Sequence, residues 1–177
     1  MHPARPETLV FAYGSNLDPA RMRARIPSAR PLGATVLPGH RLRFHLRGTL
    51  DGTAKADAVS TGDPRHRLPG VVYALAPGSL PILDRIETGY ARLRHWLRIP
   101  GAFRGGPSRA ESLGRPGHRP VWSYHGAPEG IDDTLLPAPW YLGHVRRGAR
   151  LHRLPTAHLE ALAAQPTLPP RGTGGPA

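Results

Sequence analysis

The chain contains no cysteine. A disulfide framework and a thiol nucleophile are therefore both excluded, and the absence fits a reducing compartment. No apolar run approaches the roughly 20 residues that a membrane-spanning helix needs. The run ending at Tyr13 is too short for the core of a signal peptide. The expectation is a soluble, cytoplasmic protein with no membrane partner. Lysine is nearly missing: Lys55 is the single lysine among 24 basic residues. Acids are scarce as well, 12 in all, which leaves a net charge of +12. An excess of that size suits anionic partners. Yet the arginines are scattered, at 21, 23, 25 and 30, then 92, 94 and 98, then 146, 147, 150 and 153. No nucleic-acid-binding motif accompanies them, so specific nucleic-acid binding is not expected. The ten histidines show no H-x-x-x-H or other paired spacing, which argues against a dedicated metal site. There is no Walker loop, no G-x-G-x-x-G and no G-x-S-x-G elbow.

What remains is a chain of 177 residues, long enough to bury roughly 70% of its unfolded surface in one domain. Residues 1–164 carry the apolar pattern. The segment 165–177, "QPTLPPRGTGGPA", has little to bury and is expected to be a disordered tail. Glu7 to Tyr13 reads as a strand that stops at Gly14-Ser15-Asn16. Asp18 then caps a short helix, "ARMRARI", with Pro19 at its first position. "GATVL", "HRLRFHLR" and "TAKADAVST" alternate as strands with one wet face, and "GVVYALAP" is a more continuous, central one. "SLPILDRIE" has Leu80, Leu83 and Ile86 at helical spacing. "YARLRHWLRIP" and "RPVWSYHGA" alternate again, separated by a glycine- and proline-rich surface loop at 101–119. Two closing helices follow, one from Trp140 to Arg147 ended by Gly148, the other from Thr156 to Ala164. The sum is a mixed α+β domain, expected to close or half-close into a small, mostly antiparallel β-barrel flanked by short helices.

Two places could carry chemistry. A strand that ends in Gly14-Ser15-Asn16 and hands over to a helix leaves backbone N–H groups unpaired. Without a Cβ at Gly14, a ligand can come close to the chain. That suits a carboxylate or phosphate, although an ordinary tight turn has the same spelling. Among the acids, Asp51, Asp57, Asp63, Asp132 and Asp133 fall in loops or on wet strand faces. Asp84 and Glu87 lie at the end of an apolar helix, where a carboxyl can take on general acid-base work or simply pair with an arginine. The tyrosines 13, 73, 90, 124 and 141 fall in or beside core elements, where packing is the ordinary explanation.

Taken in order, "FAYGSNL" at 11–17, "GVVYAL" at 70–75, "LDRIETG" at 83–89 and "PAPWYLGHVRRGA" at 137–149 resemble the gamma-glutamylcyclotransferase-like family. The resemblance spans roughly residues 8 to 164. It implies a small mixed barrel flanked by helices, and cleavage of a gamma-glutamyl amino acid or amine into 5-oxoproline and a free amine. It implies that the segment Phe11, Ala12, Tyr13, Gly14, Ser15, Asn16 and Leu17 holds the glutamyl head. By the same resemblance Glu87 is the catalytic acid/base and Tyr141 lines the substrate cavity. No cofactor is implied; the partner is the small-molecule substrate, and the assembly a monomer or homodimer. Against the family pattern, Thr88 separates Glu87 from Gly89, and Pro137-Ala138-Pro139 replaces a serine-bearing version. Arg85, Arg92 and Arg94 surround the acid in sequence, and could attract an anionic substrate or neutralise Glu87. A binding protein that shares the fold without catalysis stays open as the alternative.

Overall fold

The computed structural model describes residues 7–100 and 117–169; most of the 101–119 loop and the end of the tail lie outside them. Among these residues seven strands form two sheets. The larger has the order β2 (Arg30–Pro38), β5 (Arg67–Leu75), β1 (Thr8–Ala12), β7 (His118–Gly126) and β6 (Tyr90–Arg98). All its pairings are antiparallel except β1 with β7. The smaller is the hairpin of β3 (His40–Arg47) and β4 (Ala54–Ser60). Among the described residues four helices accompany them: α1 (Pro19–Arg25), α2 (Leu80–Ile86), α3 (Pro139–Leu151) and α4 (Thr156–Ala164). The fold is α+β, as expected.

β1 and β5 run through the middle, and the continuous apolar spelling of both is explained by burial on two faces. Val10, Phe11, Val71, Val72, Tyr73 and Leu75 are all 2% exposed or less, which makes this pair the centre of the core.

The sheet does not close into a barrel. β2 and β6 share no ladder; a side-chain bond from Thr35 Oγ1 to the Arg98 carbonyl, 2.9 Å long, links their ends. In the separate hairpin the free edge of β4 has partners other than a strand. Ala54 N–H donates to Leu136 O at 3.1 Å, Ala56 N–H to Tyr141 Oη at 3.0 Å. Ala56 O accepts from Tyr90 Oη at 2.6 Å, and Ala58 O from His125 Nδ1 at 2.9 Å. Side chains and a loop satisfy the edge that another strand would otherwise fill.

Two further expectations are corrected. Asp57 is not on a wet face: it is buried beneath the end of β7, with Gly126 N–H donating to Oδ1 at 2.6 Å and His45 Nε2 at 3.0 Å from Oδ2. Gly148 does not end α3, which continues to Leu151. A Cβ there would lie well inside contact distance of the Leu17 and Asp18 backbone. The missing side chain lets the helix press against the turn that follows β1.

Candidate active site

β1 ends at Ala12, and Ser15–Leu17 makes a single 3-10 turn before α1. Leu17 N–H donates to Gly14 O and Asp18 N–H to Ser15 O. The N–H groups of Ser15 and Asn16, the first of the turn, have no acceptor among the described residues. Asp18 fixes the turn from below. Its Oδ1 accepts the Ala20 N–H at 3.0 Å, which caps α1. Its Oδ2 accepts His144 Nδ1 at 2.6 Å and Arg147 Nε at 2.9 Å from α3. The opening strand, α1 and α3 are thus tied at one buried carboxylate, and Leu17 is buried completely.

A small cavity of about 30 Å³ opens at this corner, lined by residues 10–16 together with Ala56, Glu87, Tyr90, Tyr124 and Tyr141. It has room for roughly one water-sized group. Through Ser15, Glu87, Tyr90 and Tyr141 it is continuous with an outer chamber of about 220 Å³, whose walls bring in α1, the β3–β4 turn and Trp140. Gly14 lines the inner cavity: a Cβ on it would lie 3.0 Å from Ala56 Cβ and 3.3 Å from Tyr141 Oη, closing the space a ligand would use.

Glu87 follows α2 directly as its C-terminal cap, its own N–H donating to Leu83 O. Its side chain is 13% exposed and turns toward the glycine corner. Oε1 accepts from Asn16 Nδ2 at 2.9 Å and Arg25 Nη1 at 2.6 Å, while Arg25 Nη1 also reaches Asn16 Oδ1 at 2.8 Å. Oε2 has no hydrogen-bond partner among the described residues. One oxygen is anchored and the other is available.

Asp84, the other carboxylate on this stretch, is engaged elsewhere. It accepts from Tyr124 Oη at 2.7 Å and Arg92 Nη1 at 2.5 Å, and it lines neither chamber. Arg92 and Arg94 lie over the Trp122 ring, not over Glu87. The arginine that does meet Glu87 is Arg25, from the helix behind the first turn. Thr88 bonds Thr49 across the outer chamber at 2.7 Å, tying the end of α2 to the β3–β4 turn.

The phenols define the remaining wall. Tyr13 donates to Tyr124 O and Tyr90 to Ala56 O. Tyr141 Oη instead accepts from Ala56 N–H, so its O–H is still a donor. Burial raises all three above the ordinary phenol range, and they stay protonated at any working pH. No three His, Cys, Asp or Glu side chains converge in a metal-holding group among the described residues. Three histidines do come together away from the cleft, where the β3–β4 hairpin meets β6 and β7. The His40, His95 and His125 rings lie 5.1–5.5 Å apart, centre to centre.

An enclosed carboxylate, one oxygen anchored and one unspent, therefore faces a turn rich in backbone donors. Residues 10–134 match the family described as Gamma-glutamyl cyclotransferase, AIG2-like. The chain belongs to that family. Solved structures share the fold of this cyclotransferase-family chain. A protein described as gamma-glutamyl cyclotransferase has a TM-score of 0.73 at 22% identity, over 94% of this chain and 92% of its own. An uncharacterized protein from Homo sapiens has a TM-score of 0.75 at 23% identity, over 95% and 93%. A yeast gamma-glutamyl cyclotransferase specific to glutathione has a TM-score of 0.61 at 15% identity, over 89% and 94%. Among curated protein sequences, none matches this family member. No described helix is long and apolar enough to cross a membrane.

Proposed function

We propose that this protein is a gamma-glutamylcyclotransferase, releasing 5-oxoproline and a free amine from a gamma-glutamyl compound. The observation that carries the reading is Glu87: a largely buried carboxylate, fixed through Oε1 by Asn16 and Arg25, with Oε2 unspent at the lip shared by both chambers.

The chemistry asks little else of the protein. In the substrate, the α-amine and the γ-carbonyl belong to one molecule, and closing a five-membered ring joins them. Holding the chain bent supplies the proximity advantage, worth up to ~7–11 kcal/mol in well-oriented intramolecular reactions. The α-ammonium first loses a proton to Glu87 Oε2. The neutral amine then attacks the γ-carbonyl carbon, placing negative charge on the carbonyl oxygen. As the C–N bond to the leaving group breaks, Glu87 returns the proton to the departing nitrogen. The regenerated carboxylate then takes the second proton from the ring nitrogen, which attack had left as an ammonium. It passes that proton to the released amine, which departs as its own ammonium, so protons balance. The Ser15 and Asn16 N–H groups and the Tyr141 O–H are the donors positioned for the substrate's carboxylate and the transient oxyanion. The glutamyl head spans the inner cavity and the adjoining floor of the outer chamber. Phe11, Ala12, Tyr13, Gly14 and Leu17 shape the corner, and the remaining outer chamber takes the leaving amine.

The Arg25–Glu87 ion pair favours a second reading, a small-molecule binding protein in which Glu87 is a fixed anion. Incubation with a panel of gamma-glutamyl compounds separates the two. Release of 5-oxoproline from at least one supports the enzyme. Thermal stabilisation by such compounds without any release supports the binder.

A further inference from the structure

Under the cyclotransferase reading, the outer chamber receives the leaving amine, and the charges of that chamber do not cancel. Among the described residues three cations line it, Arg21, Arg25 and Lys55, against two carboxylates, Asp51 and Glu87. Lys55 Nζ donates to both Asp51 oxygens at 2.8 Å, and Arg25 is paired with Glu87. Arg21 is left over. Its Nε donates to Ser15 Oγ at 3.1 Å and its guanidinium carbon stands 5.5 Å from the centre of the Trp140 ring. No carboxylate is within ion-pair distance of it, and neither terminal nitrogen has an acceptor, among the described residues.

A guanidinium cannot shed its charge at working pH and carries five donors in a planar fork. Here one donor is spent on holding the group still and the ring of Trp140 supports it. The other donors face a chamber already in surplus of positive charge. Burial, and next the neighbouring Arg25, act against the charge on Arg21, so an incoming anion relieves two cations at once. Such a fork matches a carboxylate in two-point geometry. An ammonium or a polyamine tail in the same place would meet only like charge. Trp140 and Leu50, both exposed at the mouth, add apolar contact for a side chain beside that carboxylate.

We propose that Arg21 reads a carboxylate on the leaving amine, so that the substrates of this site are gamma-glutamyl amino acids and short peptides rather than neutral or cationic gamma-glutamyl amines. This rests on the cyclotransferase reading, and the test keeps the two apart. The probes are gamma-glutamylalanine and gamma-glutamylalaninamide, which differ in one charge at nearly constant shape. Wild-type protein should release 5-oxoproline from the acid with kcat/KM at least about 10-fold above the amide, the size expected of a charged hydrogen bond. In Arg21→Gln that ratio should fall toward one, and Arg21→Lys should restore part of it. A ratio of one in the wild type overturns the proposal. So does an Arg21→Gln variant that loses activity on both compounds by the same factor, which is what a structural role through Ser15 would do. If neither compound is turned over, the wider gamma-glutamyl panel decides the cyclotransferase reading, and calorimetric titration of the same pair decides the charge preference. Binding of the acid about 10-fold tighter than the amide supports it; equal binding, or none, overturns it.

Discussion

In the proposed reaction Tyr141 and Glu87 divide the labour of the cleft between a hydroxyl donor and a carboxyl that carries the proton. Tyr141 Oη accepts a buried N–H from the free edge of β4, so removing the oxygen alone leaves that N–H unpaired. Tyr141→Phe should cost about 1–3 kcal/mol of stability, read as a lowered thermal midpoint. It should also lower kcat/KM for 5-oxoproline release roughly 10-fold through loss of one oxyanion donor. An unchanged midpoint would show that the hydroxyl is not a strut. At this scale the sequence is informative where the candidate site is contiguous: Tyr13 to Leu17 is one short string, and its glycine, amide and hydroxyl signal a donor-rich turn. Arg25 is less visible, because its contact with Glu87 spans 62 positions of chain. The legible trace of it is the four-residue spacing of Arg21 and Arg25, which puts both on one face of a helix. Arg92 and Arg94, near Glu87 in sequence, lie over Trp122 instead, since a helix end and the strand after it diverge in space.

Elements position that turn, and α3 does so through a residue with no side chain. Gly148→Ala would push a methyl group into the Leu17–Asp18 backbone. Overpacking of this kind costs roughly 1–3 kcal/mol, a fall of several degrees in thermal midpoint for a domain of this size. Because the same backbone carries Ser15 and Asn16, activity should fall more than stability alone explains. A fully stable and active Gly148→Ala protein would contradict the close packing. A glycine after an amphipathic run is spelled identically whether it ends a helix or admits a neighbour, which is why "RRGA" reads as a stop. A closed or half-closed barrel is likewise what the strand count suggests. The open gap lies between β2 and β6, which share no ladder. The edge of β4 is filled by Tyr90, Tyr141, His125 and the Leu136 carbonyl, contacts between residues far apart in the chain.

Over the whole molecule, pH is the variable that reads the packing of histidines from distant strands. His95 is pulled down to about 4 by burial, then by the neighbouring His125 and His40. His125, which donates to Ala58 O and lies near Asp57, is also lowered, burial again being the first cause. The folded state then resists protons that the unfolded chain accepts below about 6.5. Stability contributed by these groups is complete above that value and declines as pH falls toward 4. For His95 the loss is about 1–2 kcal/mol after allowing for partial solvent screening. Asp18 acts in a lower window. Burial opposes its charge, but the His144 and Arg147 hydrogen bonds prevail and hold it below the usual carboxylate range. Its contribution is present above pH ~4 and is lost only below that. Chemical denaturation between pH 7 and 4 should therefore show falling stability, and His95→Gln should flatten that slope. A flat wild-type profile would contradict the histidine assignment. None of this is readable from ten scattered histidines, because the three rings are collected from β3, β6 and β7 by folding.

The most direct measurement is 5-oxoproline release from a panel of gamma-glutamyl compounds by wild-type protein and by Glu87→Gln, with folding of both checked by circular dichroism. The predicted result is turnover of at least one compound by the wild type and a loss of roughly 10²-fold or more in the variant, with the fold unchanged. Full activity in a folded Glu87→Gln protein, or no release from any compound by the wild type, would contradict it.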